Sequence, residues 1–147
     1  MVSPAVPLNS SFRLDGVRVL VVDDEPDVRY LVTEILAQNG AEVTAVGSAD
    51  EGLAVLQSER PDVLLSDLMM PGRGGYRLIG QVRALPRQRG GATPAVAVTG
   101  RTDQRAGVLG AGFQFYVPKP IDVEALLSAV ATLALKYSAP ARPSALS

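Results

Sequence analysis

The sequence predicts an α/β fold, a doubly wound parallel sheet of five strands with helices on both faces. Three observations carry this. Apolar runs of strand length recur five times along the 147 residues, and each is followed by a stretch with helical spacing. The connections are short, as alternating strand–helix units require. The runs are apolar at nearly every position instead of every second one, which is how strands buried on both faces read.

Val17 to Val22 is the first such run. Pro26 then stands where a helix start tolerates it, with Asp24, Glu25 and Asp27 at the positive helix end. Val28, Leu31, Val32, Ile35 and Leu36 make one apolar stripe, and Asn39-Gly40 supplies the stop. Glu42 to Val46 reads as the second strand. Ser48 with Glu51 matches a capping box and opens a second helix through Leu53 and Leu56. Asp62 to Ser66 is the third strand, and a third helix from about Gly75 carries Leu78, Ile79 and Val82. Pro94 introduces the fourth strand, Ala95 to Val98. The fourth helix, about Thr102 to Leu109, is the weakest, because Gly107 and Gly110 interrupt it, and it is expected to be the most mobile element. Phe113 to Val117 is the fifth strand. An Asp122 cap opens a last helix through Val123, Leu126, Leu127, Val130 and Ala134. Pro118 cannot donate to a sheet ladder, so the fifth strand belongs at an edge, consistent with the order 2-1-3-4-5.

Composition narrows the chemistry. With 47% apolar and 20% charged residues the chain can build a core, and its net charge of −1 gives no field to attract nucleic acid or anionic lipid. No direct nucleic-acid contact and no membrane insertion are expected, and the protein reads as cytoplasmic. The 147 residues hold no cysteine and no histidine. That excludes thiolate metal sites, His-ligated zinc, Ser-His-Asp catalysis and a phosphohistidine within this sequence.

The polar residues that end the runs are Asp23-Asp24, Asp67, Thr99 and Lys119-Pro120. In open α/β sheets the carboxyl ends of the strands are where ligands bind. Two like charges about 4 Å apart cost roughly 4 kcal/mol at an effective dielectric near 20, so three converging acids call for a cation. Mg²⁺ takes a few carboxylates, keeps several waters and completes its octahedron with substrate oxygens. Thr99 can donate to a phosphoryl oxygen, and Lys119 offers a point positive charge. Taken singly, each has a plainer reading: the two acids as helix caps, Thr99 as a strand-end β-branched residue, Lys119 as a solvated lysine. Against the last stand Pro118 and Pro120, which restrain the backbone on both sides of Lys119. Either isomer of the Lys119-Pro120 bond is open from sequence.

Val21-Val22-Asp23-Asp24-Glu25-Pro26, Ser66-Asp67-Leu68-Met69-Met70-Pro71-Gly72, Val98-Thr99-Gly100 and Val117-Pro118-Lys119-Pro120 together resemble a receiver domain of two-component response regulators. The resemblance covers about Val17 to Leu135. It implies a flavodoxin-like (βα)5 fold and a receiver over residues 17–135. Composition alone marks residues 1–16, rich in Ser, Pro and Val without a period, as a linker or leader, and the Pro/Ala/Ser-rich residues 136–147 as a disordered tail. The resemblance implies phosphorylation of Asp67, with Mg²⁺ held by Asp23, Asp24, Asp67 and the Met69 carbonyl. Thr99 and Lys119 would bind the phosphoryl oxygens, and Met69 and Arg101 would tune hydrolysis. Tyr116 matches the switch aromatic, and the fourth helix, fifth strand and fifth helix the signalling face. The implied partner is a histidine kinase or a histidine phosphotransfer domain. Gly112-Phe113 leading into Lys119-Pro120 resembles receivers attached to hybrid histidine kinases.

Two other readings compete. A receiver-like scaffold binding its partner regardless of phosphate usually lacks one of the acids, the threonine or the lysine, and all are present. A dehalogenase-type phosphatase needs Asp-x-Asp after its first strand, which Asp23-Asp24-Glu25 does not supply. Gly72-Arg73-Gly74-Gly75 matches no nucleotide-binding loop and reads as a turn before the third helix.

Overall fold

Side chains alternate across each strand, and the alternation sorts the core into two layers. In β1 (Arg18–Val22), Val19 and Val21 point one way and Leu20 and Val22 the other. The first pair packs on α1 (Pro26–Gln38) and α5 (Val123–Lys136), through Val32, Ile35, Leu36, Leu126, Leu127 and Val130. The second packs on α2 (Ala49–Glu59), α3 (Gly74–Arg83) and α4 (Arg105–Ala111), through Leu56, Leu78, Ile79, Val82 and Val108. Each such side chain contributes roughly 1.5–3 kcal/mol on burial, so helices are required on both faces.

These elements belong to a computed structural model that describes residues 13–71, 74–100 and 105–136. Residues 1–12 of the expected leader, 137–147 of the tail, Gly72-Arg73, Arg101 and the expected start of the fourth helix at Thr102 lie outside them. The remaining strands are β2 (Glu42–Val46), β3 (Val63–Asp67), β4 (Ala95–Thr99) and β5 (Phe115–Pro118). All pair in parallel, in the order β2-β1-β3-β4-β5. The expected order is therefore the observed one, and Pro118 stands on an edge strand, exposed and in register with Thr99.

The helix ends follow their signals. Glu51 N donates to Ser48 Oγ at 3.2 Å, and the Glu51 carboxylate reaches back to the Gly47 amide, also at 3.2 Å. Asp122 Oδ1 accepts from the Glu124 amide at 2.9 Å. Gly40, with φ +103°, carries the chain out of α1 past the Asn39 cap.

Several boundaries differ from expectation. Asp67 and Thr99 are the last residues of β3 and β4, one position beyond the apolar runs. β5 begins at Phe115 instead of Phe113, because Gly112 turns at φ +126° and Phe113 is core, packed in the second layer. Leu14, assigned by composition to the leader, is 1% exposed in the first layer, its amide donating to Asn39 O at 2.8 Å. A single apolar residue amid polar ones carries no period, which is why the sequence pattern missed it.

Opposite the carboxyl ends of the strands, Arg83 closes the other end of the sheet. Its guanidinium donates to the carbonyls of Gly91, Thr93 and Gly112, and to Gln114 Oε1, at 2.7–3.3 Å. Burial pulls this guanidinium below its ordinary affinity for a proton.

Candidate functional site

β1, β3, β4 and β5 end side by side, and together they deliver five polar side chains to the same edge. Asp23 and Asp24 follow β1, Asp67 and Thr99 end β3 and β4, and Lys119 follows β5. One carboxylate oxygen from each of Asp23, Asp24 and Asp67 lies within 4.8 Å of the others. Asp23 and Asp67 are buried, and Asp24 is exposed.

The plain reading of the first acids as helix caps does not hold. The N-cap of α1 is Glu25, with no side-chain cap bond, and Asp23 Oδ1 accepts from the Glu25 amide at 2.9 Å. Burial raises the proton affinity of Asp23, and the charges of Asp67 and Asp24 add to this. The Glu25 amide and Lys119 pull the other way without prevailing. Folding therefore forces a carboxylate into a place it disfavours.

Lys119 is the counter-charge. Its Nζ lies 3.6 Å from Asp67 Oδ1, 3.7 Å from Asp23 Oδ2 and 3.8 Å from Glu25 Oε1. Its amide donates to Thr99 O at 2.8 Å, which ties its position to the end of β4. The Lys119-Pro120 bond is cis. Thr99 itself is fully buried. The Met69 amide donates to Asp67 Oδ1 at 3.1 Å, while the Met69 side chain is 54% exposed at the rim.

Three acids against one ammonium leave two negative charges in excess, before Glu25 is counted. All the donors are hard oxygens, on the spacing that a small divalent cation spans with bonds of about 2.1 Å. The residues fit such an ion, which Asp23, Asp24 and Asp67 would hold.

Residues 19–131 match the response regulator receiver domain. The chain belongs to that family. Among curated relatives, the receiver is 41% identical over 121 residues to a 14.6 kDa protein from the sodA1 3' region of Leptolyngbya boryana, covering 81% of this chain and 91% of the other. It is 33% identical over 115 residues to PilH of Pseudomonas aeruginosa, covering 77% and 93%. Of solved structures, the chemotaxis response regulator CheY4 of Vibrio cholerae superposes with a TM-score of 0.71 at 29% identity, over 80% of this chain and 98% of that one. The Francisella 1452 receiver domain shares the fold, with a TM-score of 0.74 at 24% identity.

The structure brings Asp23, Asp24, Asp67 and Lys119 together, with Thr99 and Met69 beside them. Tyr116 is not among the acids. It pairs in register with Ala97 and packs, half-buried, in the second core layer, the face onto which Thr99 would point two residues further along β4. Arg101 lies outside the described residues. Glu25 was legible only as an acid at a helix start, and Arg29 carried no signal, yet Glu25 faces Lys119 and Arg29 Nη1 donates to the Asp23 carbonyl at 2.8 Å. Neither contact has a periodic trace in the sequence. Among the described residues no helix is long and apolar enough to cross a membrane.

Proposed function

We propose that this receiver, residues 17–135, is the phosphoacceptor of a two-component phosphorelay. It takes a phosphoryl group from a phosphohistidine onto Asp67 in the presence of Mg²⁺. The observation that carries the reading is the placement of one buried carboxylate, Asp67, between an excess of acids and a single ammonium. In the reaction an Asp67 oxygen attacks phosphorus in line, the N–P bond to the donor imidazole breaks, and the imidazole leaves with a proton. A cation held by Asp23 and Asp24 would neutralise charge on the carboxylates and the phosphoryl oxygens. Lys119 takes one phosphoryl oxygen, and the Thr99 hydroxyl donates to another. Water later attacks the same phosphorus, which returns Asp67 to its free state, and Met69 and Arg101 tune that hydrolysis. The domain thus catalyses only its own phosphorylation and dephosphorylation.

Drawing the Thr99 hydroxyl toward the phosphoryl group frees space on the face that Tyr116 shares, and the output surface on α4, β5 and α5 shifts with it. Exposed Leu109 and Phe115, at 42% and 37%, suit such a surface. The donor is a histidine kinase or a histidine phosphotransfer domain, in the cytoplasm. The test is mass spectrometry after incubation with acetyl phosphate and Mg²⁺. One added phosphoryl group is expected, abolished by Asp67→Asn and by chelation. No uptake by the wild-type chain would favour the phosphorylation-independent scaffold instead.

A further inference from the structure

Asp23 is fixed by its backbone as firmly as by its carboxylate. Its amide donates to Val46 O, at the end of β2, at 3.1 Å. Its carbonyl accepts from Arg29 Nη1, from the start of α1, at 2.8 Å. Arg29 is half-buried and makes no ion pair among the described residues, although acids stand nearby. Its guanidinium passes beside Gly47, in the loop after β2, where an added Cβ would lie 2.9 Å from Nη1. Gly47 is not among the glycines with positive φ, so its backbone does not demand glycine. What demands it is room for the arginine.

We infer that Arg29 is the positioning residue of the cation-holding loop, and that Gly47 exists to admit it. The inference rests on the cation reading given above. A guanidinium aimed at the carboxylates would compete with a cation for them. Aimed at the Asp23 carbonyl, it instead orients the peptide between Asp23 and Asp24 through a charge-assisted hydrogen bond and leaves both carboxylates open. Groups that orient metal-holding residues in this way typically change affinity by about 10–100-fold when removed.

The test compares Arg29→Ala, Arg29→Lys, Gly47→Ala and the Arg29→Ala/Gly47→Ala pair, with Mg²⁺ and Mn²⁺ affinity measured by calorimetry. Arg29→Ala is expected to weaken binding about tenfold or more. Gly47→Ala is expected to do the same, because the new methyl displaces only the flexible tip of Arg29. In the double variant the methyl should add nothing, and Arg29→Lys should retain most of the affinity through a donor to the same carbonyl. Wild-type affinity in either single variant overturns the inference, as does an undiminished Gly47→Ala penalty when Arg29 is absent. Amide exchange of the metal-free protein reads the loop without any ion. Faster exchange at Asp23 and Asp24 is expected in both single variants, and unchanged exchange overturns the inference. A wild-type chain that binds no divalent cation would remove the cation reading itself, while the exchange measurement would still decide the role of Arg29 in the loop.

Discussion

The Lys119 ammonium stands 3.6 Å from Asp67 Oδ1, an ion pair longer than a hydrogen bond. Its distances to Asp23 and Glu25 are nearly equal to this one, so its charge is shared among three carboxylates and committed to none. An oxygen arriving on Asp67 would meet a cation already in place, with little to break first.

Replacing Lys119 by Met should therefore separate two properties. Phosphoryl uptake from acetyl phosphate should fall by about a hundredfold, the usual scale for losing one preorganised charge partner. Affinity for Mg²⁺ should rise, because the acids lose their internal counter-charge. Stopped-flow phosphorylation and calorimetry on one preparation check both signs.

Asp23 gives a pH signature. Its folded-state proton affinity is raised, chiefly by burial, so the protonated form is the one that folding favours. Stability from this group is fully present below its unfolded pKa and is lost as pH rises through the folded one. Asp23→Asn, which can still accept from the Glu25 amide, should stabilise the metal-free protein at pH 7, because it removes the cost of holding a buried carboxylate ionised. The gain should vanish toward pH 3. Urea unfolding in chelator at the two pH values measures it.

Arg83 predicts stability without chemistry. Arg83→Ala leaves the carbonyls of Gly91, Thr93 and Gly112 without this donor, at about 1–3 kcal/mol for each buried acceptor left unsatisfied. A loss of at least about 3 kcal/mol in urea unfolding is expected, with Mg²⁺ affinity unchanged, since the guanidinium sits at the far end of the strands.

Two glycines of α3 should respond in opposite directions. A Cβ on Gly75 would overlap the Asp67 carbonyl oxygen and lie 2.6 Å from Leu68 Cα. Gly75→Ala should therefore cost about 1–3 kcal/mol and slow phosphorylation by displacing Asp67. Nothing lies within 4 Å of the corresponding point on Gly80, which is exposed. Gly80→Ala should stabilise by about 0.5–1 kcal/mol. Thermal melts of the two variants give the comparison.

By itself the sequence determined the alternation of strands and helices and the caps at Ser48 and Asp122. It also determined which polar residues end each strand, from Asp23 to Lys119. These are local properties: a period of apolar residues, a cap and a proline act within a few positions and leave a trace there. Only the tertiary structure decided that Leu14 belongs to the core, that Phe113 packs instead of pairing, that Glu25 faces Lys119 and that Arg83 spans Gly91 to Gly112. It alone set Arg29 against Gly47 and Gly75 against Asp67. Those relationships join residues far apart in the chain through hydrogen bonds and contacts of about 3 Å. No repeating pattern records them, because each is made once, where two folded elements happen to meet.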